Sequence, residues 1–308
     1  MDADVDAMDG LANIIDQPAR YCLRDGLKRG VERLAAAGID SPRLDAEVLL
    51  AHCLGLTREQ LILRADSPMT SAAAAKFESL LRRRLEREPV AYIIGKQEFW
   101  SLEFAVTPDV LIPRPETERL VEVALVEAAK ISSADSLRIA DLGTGSGALA
   151  VSLATELPTA KFCATDVSFG ALQIARANAE RYRVAERIEF CPGDLFAALA
   201  RQVLLFDLIV SNPPYVRRAD LTTLAPEVRQ EPSLALDGGA DGYDFYRRIA
   251  AAAPAFLTGQ GALIVEIGAD QARAVENIFR ATEYYRELEL LQDYAGRDRV
   301  VLARVKQN

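Results

Sequence analysis

Histidine and long apolar runs are scarce in this sequence, and basic residues are outnumbered by acidic ones. Each of these features argues against a class of function. His52 is the only histidine among 308 residues, which argues against His-rich metal sites and against Asp-His-Ser or Cys-His triads. Lysine and arginine number 36 against 45 acidic residues, so the net charge of −9 disfavours non-specific binding to nucleic acid or to anionic membranes. No run of about 18 apolar residues is present, so no transmembrane helix is predicted.

Cysteines are also few, and their spacing predicts no metal centre. None of Cys22, Cys53, Cys163 and Cys191 belongs to a C-x-x-C pair, so neither a zinc site nor a disulfide framework is indicated. We expect the four side chains to be small buried apolar groups.

The amino terminus lacks the features of a secretory signal. Residues 1–9 carry four aspartates and no basic residue, where a signal would have a positive region followed by an apolar one. We therefore expect a cytoplasmic protein with no membrane contact. Residues 1–19 are interpreted as a mobile acidic extension.

Residues 20–88 predict a small helical domain. Apolar residues recur at helical spacing over residues 21–37, 42–54 and 71–88, and Thr57 opens a capping box for a further short helix. Helices this short and amphipathic are expected to pack as a bundle. The arginine run at residues 82–84 is typical of a solvated helix face, with a partner-binding surface as the alternative.

Residues 89–115 predict a β-hairpin and a proline-containing linker. Apolar residues at 91–94 and 99–106 flank Gly95 as paired strands would. Pro113 and Pro115 fix an extended loop, because each proline restricts both its own backbone and that of the preceding residue. The linker leads into the last predicted domain, residues 116–308, which begins with a helix.

Within residues 116–308, buried strands alternate with helices. Strands are predicted at residues 137–142, 161–166, 188–191, 206–210, 262–267, 288–291 and 299–304. This alternation requires right-handed crossovers and a mostly parallel sheet with helices on both faces. The sequence therefore predicts an α/β, Rossmann-like fold, in which ligands bind beyond the carboxyl ends of the strands.

A glycine-rich turn follows the first of these strands. Gly143, Gly145 and Ala148 match the pattern G-x-G-x-x-G/A, in which glycine lets the backbone approach a ligand. Asp166 ends the next strand, where a carboxylate can accept hydrogen bonds from ribose hydroxyls. The two features predict a nucleoside-containing ligand, with NAD and S-adenosylmethionine both open.

Three further features favour S-adenosylmethionine. Gly147 adds a third alternate glycine, and Asp194 ends the third strand, on the side expected for adenine. The fourth strand then runs into an Asn-Pro-Pro-Tyr tetrapeptide at residues 212–215. Nothing in an NAD-dependent oxidoreductase explains that tetrapeptide, and no acid-base pair for hydride transfer is evident.

The tetrapeptide of Asn212, Pro213, Pro214 and Tyr215 suits the methylation of a planar amide. An amide nitrogen is a weak nucleophile because its lone pair is delocalised into the carbonyl. The Asn212 side-chain oxygen and the Pro213 carbonyl can accept hydrogen bonds from its two N–H groups and fix the nitrogen. The prolines hold the loop rigid, and Tyr215 can stack on the flat substrate group. This chemistry requires neither a metal nor a strong base.

The glycine turn followed by this tetrapeptide resembles the class I methyltransferases that act on planar amide or exocyclic amino nitrogens. With the helical domain and the stretches at residues 95–102, 111–118 and 237–242, the chain resembles the peptide chain release factor glutamine methyltransferases (the PrmC/HemK family) over about residues 20–305. The resemblance implies a seven-stranded, mostly parallel sheet with one antiparallel strand. It also implies methyl transfer from S-adenosylmethionine, giving S-adenosylhomocysteine, to the side-chain nitrogen (N5) of the glutamine in the Gly-Gly-Gln motif of class I release factors. The helical domain would dock the release factor.

The resemblance extends to individual residues. It implies cofactor contacts by Gly143, Thr144, Gly145, Ser146, Gly147, Asp166, Asp194, Leu195 and Asn212. It implies a catalytic substrate clamp of Asn212, Pro213, Pro214 and Tyr215. Leu195 stands where the family can place an aromatic residue beside adenine. Phe99, Trp100 and Arg114 match positions near the mouth of the active site, with hairpin core and a linker salt bridge as the alternatives.

Other functions compete with this interpretation. A ribosomal-protein glutamine N5-methyltransferase would share the catalytic residues. An adenine-N6 nucleic-acid methyltransferase would need a basic recognition domain, which the sequence lacks outside short runs such as residues 82–84. A non-catalytic cofactor-binding scaffold would transfer no methyl group. We expect a monomer with a class I release factor as its partner and no stable binding to nucleic acid.

Overall fold

The computed structural model describes residues 18–131, 137–199 and 204–306. Almost all of the predicted acidic extension, residues 1–19, lies outside the described residues. The chain divides into two compact units, Met1–Gly95 and Lys96–Asn308. In the described part of the chain, no helix is both long enough and apolar enough to cross a membrane.

The first unit is a group of short helices around one apolar core. The helices are α1 (Leu23–Ala36), α2 (Pro42–Leu54), α3 (Arg58–Leu63), α4 (Ser71–Leu85) and α5 (Val90–Ile94). The capping box is confirmed, since Thr57 Oγ1 accepts from the Gln60 amide at 3.2 Å while Gln60 Oε1 accepts from the Thr57 amide at 3.0 Å. An antiparallel pair of strands, β1 (Pro18–Cys22) and β2 (Pro68–Thr70), was not predicted.

The arginine run of this unit is only partly a solvated face. Arg84 is buried, and its Nε donates to the carboxylate of Asp45, also buried, at 2.7 Å. Arg83 pairs with Glu88 at 2.5 Å, and only Arg82 is exposed. A buried guanidinium must be paired and hydrogen-bonded to offset its desolvation. The solvated-face prediction was therefore wrong for Arg84, which belongs to the core side of α4.

The predicted hairpin exists, but its first strand was misplaced. The apolar run at residues 91–94 belongs to helix α5, which ends at Gly95 in the left-handed conformation, φ +75°. The paired strands are β3 (Lys96–Phe99) and β4 (Leu102–Ala105), which run antiparallel. A short apolar run fits a strand and a buried helical turn equally well. Glycine at the helix C-cap resolves the ambiguity in favour of the helix.

The second unit is built on a seven-stranded sheet. Its strands are β5 (Arg138–Leu142), β6 (Lys161–Asp166), β7 (Ile188–Pro192), β8 (Phe206–Ser211), β9 (Leu257–Glu266), β10 (Tyr285–Gln292) and β11 (Asp298–Val305). They lie in the order β10-β11-β9-β8-β5-β6-β7. Strand β11 is antiparallel to both its neighbours, and every other pairing is parallel. The prediction of a mostly parallel sheet with one antiparallel strand is confirmed.

Helices cover both faces of this sheet. They are α6 (Glu118–Lys130), α7 (Ala148–Glu156), α8 (Phe169–Arg181), α9 (Asp244–Ala252) and α10 (Ala272–Ala281). Residues from α6, α7 and α8 share one apolar core, and residues from α9 and α10 share the other. Ile139 and Ala140, neighbours on the central strand β5, belong to opposite cores, as the two-residue period of a strand requires.

The cysteines follow the prediction only in part. Cys163 and Cys191 are buried, whereas Cys22 and Cys53 are partly exposed, and none of these four described residues forms a disulfide. The two buried sulfur atoms lie 3.1 Å apart on neighbouring strands. With a carboxylate oxygen of Glu189 they form a group of three possible ligand atoms within 4.8 Å of one another. A closed structural zinc site uses four ligands, so this cluster is one short.

Candidate active site

A cavity of about 470 Å³ opens at the carboxyl ends of strands β5, β6 and β8. Its volume falls within the roughly 300–1,000 Å³ typical of small-molecule sites. It also lies where parallel α/β sheets bind their ligands. The glycine turn after β5, Asp166 at the end of β6 and Asn212 after β8 all contribute to its lining, together with residues 108–111, 113 and 114 of the predicted linker.

The glycine turn presents bare backbone to this cavity. Gly143 and Gly145 adopt φ values of +73° and +55°, which L side chains rarely adopt. A Cβ atom added to either would meet no atom within 4 Å. The main chain therefore borders open space that side chains would otherwise fill. Thr144 and Ser146 also line the cavity.

Gly147 has a different environment. It is not among the residues that line the cavity, and a Cβ atom there would lie 3.1 Å from Cβ of Ala175 on helix α8. Its φ of +80° also starts helix α7 from a left-handed N-cap. The position thus explains a glycine by helix packing, and the predicted cofactor contact receives no support from it.

A buried carboxyl group supports the turn from below. Asp141 Oδ2 accepts from Thr144 Oγ1 at 2.6 Å and from the Ala150 amide at 3.2 Å. Its Oδ1 has no hydrogen-bond partner among the described residues. Burial raises the pKa of Asp141 to about 7. Asp141 was not among the predicted site residues, although an aspartate two positions before the first glycine of the turn was the available signal.

Asp166 is anchored to the main chain by both carboxylate oxygens. Oδ2 accepts from the Gly145 amide at 2.9 Å and Oδ1 from the Ser168 amide at 2.8 Å. Burial raises its pKa above the ordinary aspartate value, and these backbone bonds act in the opposite direction. Because a carboxylate offers about four acceptor sites, two remain for hydroxyl groups in the cavity. These acceptor sites fit a ribose-containing cofactor, whose hydroxyl groups can donate to them.

Asp194 and Leu195 line a further part of the cavity wall. The exposed carboxylate of Asp194 accepts from Arg248 Nη2 at 2.5 Å, so it faces a cation that sequence reasoning did not identify. Leu195 is buried, with φ +47°, and contributes an apolar surface. Its contact with adenine stays a prediction.

Asn212 directly follows strand β8 and is held by one side-chain hydrogen bond. Its Nδ2 donates to Thr117 Oγ1 at 3.1 Å. Oδ1 accepts no hydrogen bond from the described residues. Pro213 and Pro214 also line the cavity. Thr117 was missed by the sequence analysis, and only its place in the 111–118 stretch hinted at it.

Tyr215 lies apart from the rest of the tetrapeptide. It is not a lining residue, and its ring packs against the core beneath α9 and α10. Its carbonyl oxygen accepts from Gln271 Nε2 at 3.0 Å. Burial raises the pKa of its phenol to about 12. The predicted stacking of Tyr215 on the substrate therefore receives no support from its position.

Phe99 and Trp100 also lie outside the cavity lining. Phe99 is fully buried, edge-to-face with Phe104 at 6.1 Å between ring centroids. The main-chain N–H of Trp100 donates to Glu118 at 2.8 Å, and its indole N–H donates to Glu156 at 2.8 Å. These contacts match the hairpin-core alternative, and the predicted position at the mouth of the active site receives no support from them.

Arg114, by contrast, lines the cavity and carries an ion pair. Its guanidinium contacts the carboxylate of Glu231, a buried residue whose other oxygen accepts from the Ile112 amide at 3.0 Å. Glu231 thereby ties the predicted linker to the segment that follows the tetrapeptide. The predicted salt bridge and the position at the cavity are both present.

Comparisons with known proteins agree with this geometry. The family models described as PrmC N-terminal domain and Methyltransferase small domain match residues 25–95 and 123–230. The release factor glutamine methyltransferase of Moorella thermoacetica is 47% identical over 281 residues, 91% of this chain and 98% of the relative. That of Geobacter sulfurreducens is 44% identical over 291 residues, 94% of this chain and 99% of the relative. The chain belongs to the release factor glutamine methyltransferase family.

Membership in this family makes the chain a methyltransferase and excludes the oxidoreductase alternative. The match to the family's N-terminal domain ends at residue 95, where the first compact unit also ends. Among solved structures, the hMettl16 catalytic domain in complex with a MAT2A 3′UTR hairpin is similar, with a TM-score of 0.54 and 16% identity over 77% of this chain and 82% of that chain. At that identity the likeness shows the fold alone.

Proposed function

We propose that this methyltransferase transfers a methyl group from S-adenosylmethionine to N5 of the glutamine in the Gly-Gly-Gln motif of class I release factors. The observation that carries the proposal is the shared cavity. Asn212, with a side-chain oxygen free to accept, lines the same space as the bare backbone of Gly143 and Gly145 and the carboxylate of Asp166.

The residues of the turn and of β6 fit the cofactor. Gly143 and Gly145 leave room for a ligand against the main chain, and Asp166 keeps acceptor sites for two ribose hydroxyls. Leu195 provides apolar surface for a purine ring. When bound, S-adenosylmethionine supplies an electrophilic methyl group on a positively charged sulfur.

Asn212 and Pro213 fit the amide substrate. A glutamine carboxamide presents two N–H donors in one plane, and a side-chain oxygen plus a main-chain carbonyl can accept both. Holding the two donors fixes the nitrogen and turns its face toward the methyl group, which lowers the entropic part of the barrier. Pro213 and Pro214 hold the acceptors on a rigid backbone, so little conformational freedom is lost on binding.

The substrate assignment follows the relatives' names together with the chain's own charge. A net charge of −9 suits a protein substrate better than a polyanionic duplex or ribosomal RNA. Ribosomal-protein glutamine remains the nearest competing substrate, because the clamp residues would serve it equally well.

The proposal is tested by supplying radiolabelled S-adenosylmethionine with purified release factor, ribosomal proteins, ribosomal RNA or duplex DNA in separate reactions. Label is expected in release factor and not in a release factor whose motif glutamine is replaced by alanine. Label in ribosomal protein or nucleic acid, with none in release factor, would overturn the substrate assignment.

A further inference from the structure

A series of polar side chains continues behind Asn212. Thr117 Oγ1 accepts from Asn212 Nδ2 at 3.1 Å, and the carboxyl group of Glu266 lies close enough to interact with the same hydroxyl. Thr117 is 4% exposed and Glu266 is 1% exposed, so both groups are shielded from water. One carboxyl oxygen of Glu266, Oε2, has no partner among the described residues. A buried polar atom without a partner calls for an explanation.

The sheet places Asn212 and Glu266 side by side. Strands β8 and β9 are parallel neighbours, and Ser211 is paired with Val265. Asn212, directly after β8, and Glu266, the last residue of β9, are therefore neighbours at the carboxyl ends of these two strands. Thr117 closes the short 3₁₀ turn Pro115–Thr117 and supplies the hydroxyl between them.

The chemistry of the three groups fixes which group donates and which accepts in each hydrogen bond. An ionised carboxylate only accepts, so the Thr117 hydroxyl, whose oxygen already accepts from Asn212, can bond to Glu266 only by donating its single proton. The Thr117 oxygen then has only lone pairs to offer, and it can bind the NH₂ group of Asn212 but not its oxygen. The Asn212 oxygen is left as the free acceptor, which is the orientation that a clamp on a substrate NH₂ group requires.

We propose that Glu266 and Thr117 are positioning residues that hold the Asn212 carboxamide with its oxygen toward the substrate. This inference rests on the proposed function, since it concerns the orientation of the same clamp. A carboxamide at residue 266 could donate to Thr117 instead. The hydroxyl proton would then be free to point at Asn212, and the reversed orientation, with NH₂ facing the substrate NH₂, would compete.

Protonation of Glu266 should have the same effect as that substitution. Burial raises the pKa of Glu266 to about 7, opposed by the hydrogen bond from Thr117. The other ionisable groups that act on it are Arg114, Glu116, Tyr215, Tyr246 and Arg299. Above this pKa the carboxylate enforces one orientation, and below it both are allowed. The advantage of wild type over Glu266→Gln should therefore shrink as the pH falls.

The variants to compare are Glu266→Gln, Thr117→Val and Thr117→Ser, with Thr165→Val as the matched control. Thr165 is fully buried, and its hydroxyl has no partner in the described part of the chain, so the same change of atoms there removes no hydrogen bond. Each protein is assayed for kcat and KM with release factor, for cofactor affinity by calorimetry and for thermal unfolding.

We expect Glu266→Gln and Thr117→Val to lower kcat by roughly ten- to hundredfold, with cofactor affinity unchanged, because only the acceptor geometry is lost. Thr117→Ser should restore kcat, and Thr165→Val should leave it unchanged. The loss of kcat in Glu266→Gln relative to wild type should be large above pH 7 and small below it. Asp141 titrates in the same range, but it is present in both proteins, so its effect cancels in this comparison.

A double-mutant cycle separates positioning from a merely structural role. If Glu266 acts through Asn212, Glu266→Gln should lower kcat in the wild-type background but not in Asn212→Ala. A folded Glu266→Gln protein with wild-type kcat, or an equal loss in both backgrounds, would overturn the inference. Failure of the proposed function is seen separately, as absence of methyl transfer to release factor by the wild-type protein.

Discussion

The buried carboxyl group of Asp141 makes stability depend on pH in a direction that the structure defines. The pKa of Asp141 is raised from 3.8 to about 7 by burial, whereas the unfolded chain keeps the ordinary value. Between these two values the folded protein binds more protons than the unfolded one. The free energy of unfolding therefore falls as the pH rises through this window. Asp141→Asn removes the titration, so it should gain stability relative to wild type as the pH rises.

The size of the effect follows from the two pKa values. A rise of roughly 3 units, at about 1.4 kcal/mol per unit, gives ~4 kcal/mol over the whole window. Only part of the window lies between about pH 5 and about pH 8, so the gain of Asp141→Asn over wild type should grow by roughly 2–3 kcal/mol across that interval. Comparing two pH values cancels the pH-independent cost of altering the hydrogen bonds to Thr144 and Ala150.

Denaturant unfolding followed by tryptophan fluorescence measures this difference. Trp100 is the only tryptophan and lies in the second unit with Asp141, so its signal reports on the relevant part of the chain. Asp270→Asn, which removes an exposed carboxylate, is the control and should run parallel to wild type at every pH. If Asp141→Asn also runs parallel to wild type, the carboxyl group does not titrate as its burial requires, and the reasoning fails.

Three further predictions concern the cavity and the glycine turn beside it. Asp166→Ala should weaken S-adenosylmethionine binding by roughly 1–3 kcal/mol in calorimetry, and equal affinities of variant and wild type would remove Asp166 from the site. Because burial raises the Asp166 pKa, the affinity of wild type should fall on acidification at a higher pH than an ordinary aspartate would give. Gly147→Ala should lower the free energy of unfolding by about 1–3 kcal/mol more than Gly143→Ala does. Both glycines have positive φ, but only a Cβ atom at residue 147 would meet Ala175. Equal losses in the two variants would contradict the packing argument. Asn212→Ala should keep cofactor affinity and lower kcat by at least about a hundredfold in the release-factor assay; near-normal turnover would rule out the clamp.

The sheet could be predicted because each of its strands produces a recognisable pattern within a short stretch of sequence. A strand buried on both faces reads as a continuous apolar run, and short runs of this kind are present in β5 (residues 139–140) and β8 (residues 208–210). The turns that end them carry the glycines and the Asn-Pro-Pro-Tyr tetrapeptide. The position of the cavity then follows from topology alone, because the carboxyl ends of adjacent parallel strands meet at one edge.

Features that depend on distant residues could not be predicted. The partner of Asn212 is Thr117, 95 positions earlier in the chain. Glu231 reaches Arg114 across 117 positions, and the β1–β2 pairing joins Pro18 to Thr70. No periodicity or spacing rule links such positions.

Local ambiguity explains the remaining errors. The apolar run at residues 91–94 is too short to show the periodicity that distinguishes a strand from a helical turn. Burial of Arg84 depends on Asp45, which the charge run alone does not reveal. Gly147 fits a cofactor motif in the sequence and a helix contact in the structure, and only the position of Ala175 separates the two.

Tandem mass spectrometry of release factor incubated with S-adenosylmethionine, with and without this enzyme, tests the central claim most directly. The account predicts a single methyl group on the side-chain nitrogen of the Gly-Gly-Gln glutamine, present with wild type and nearly absent with Asn212→Ala. An unmodified glutamine in the presence of active, cofactor-binding enzyme, or a methyl group on a different residue, would contradict it.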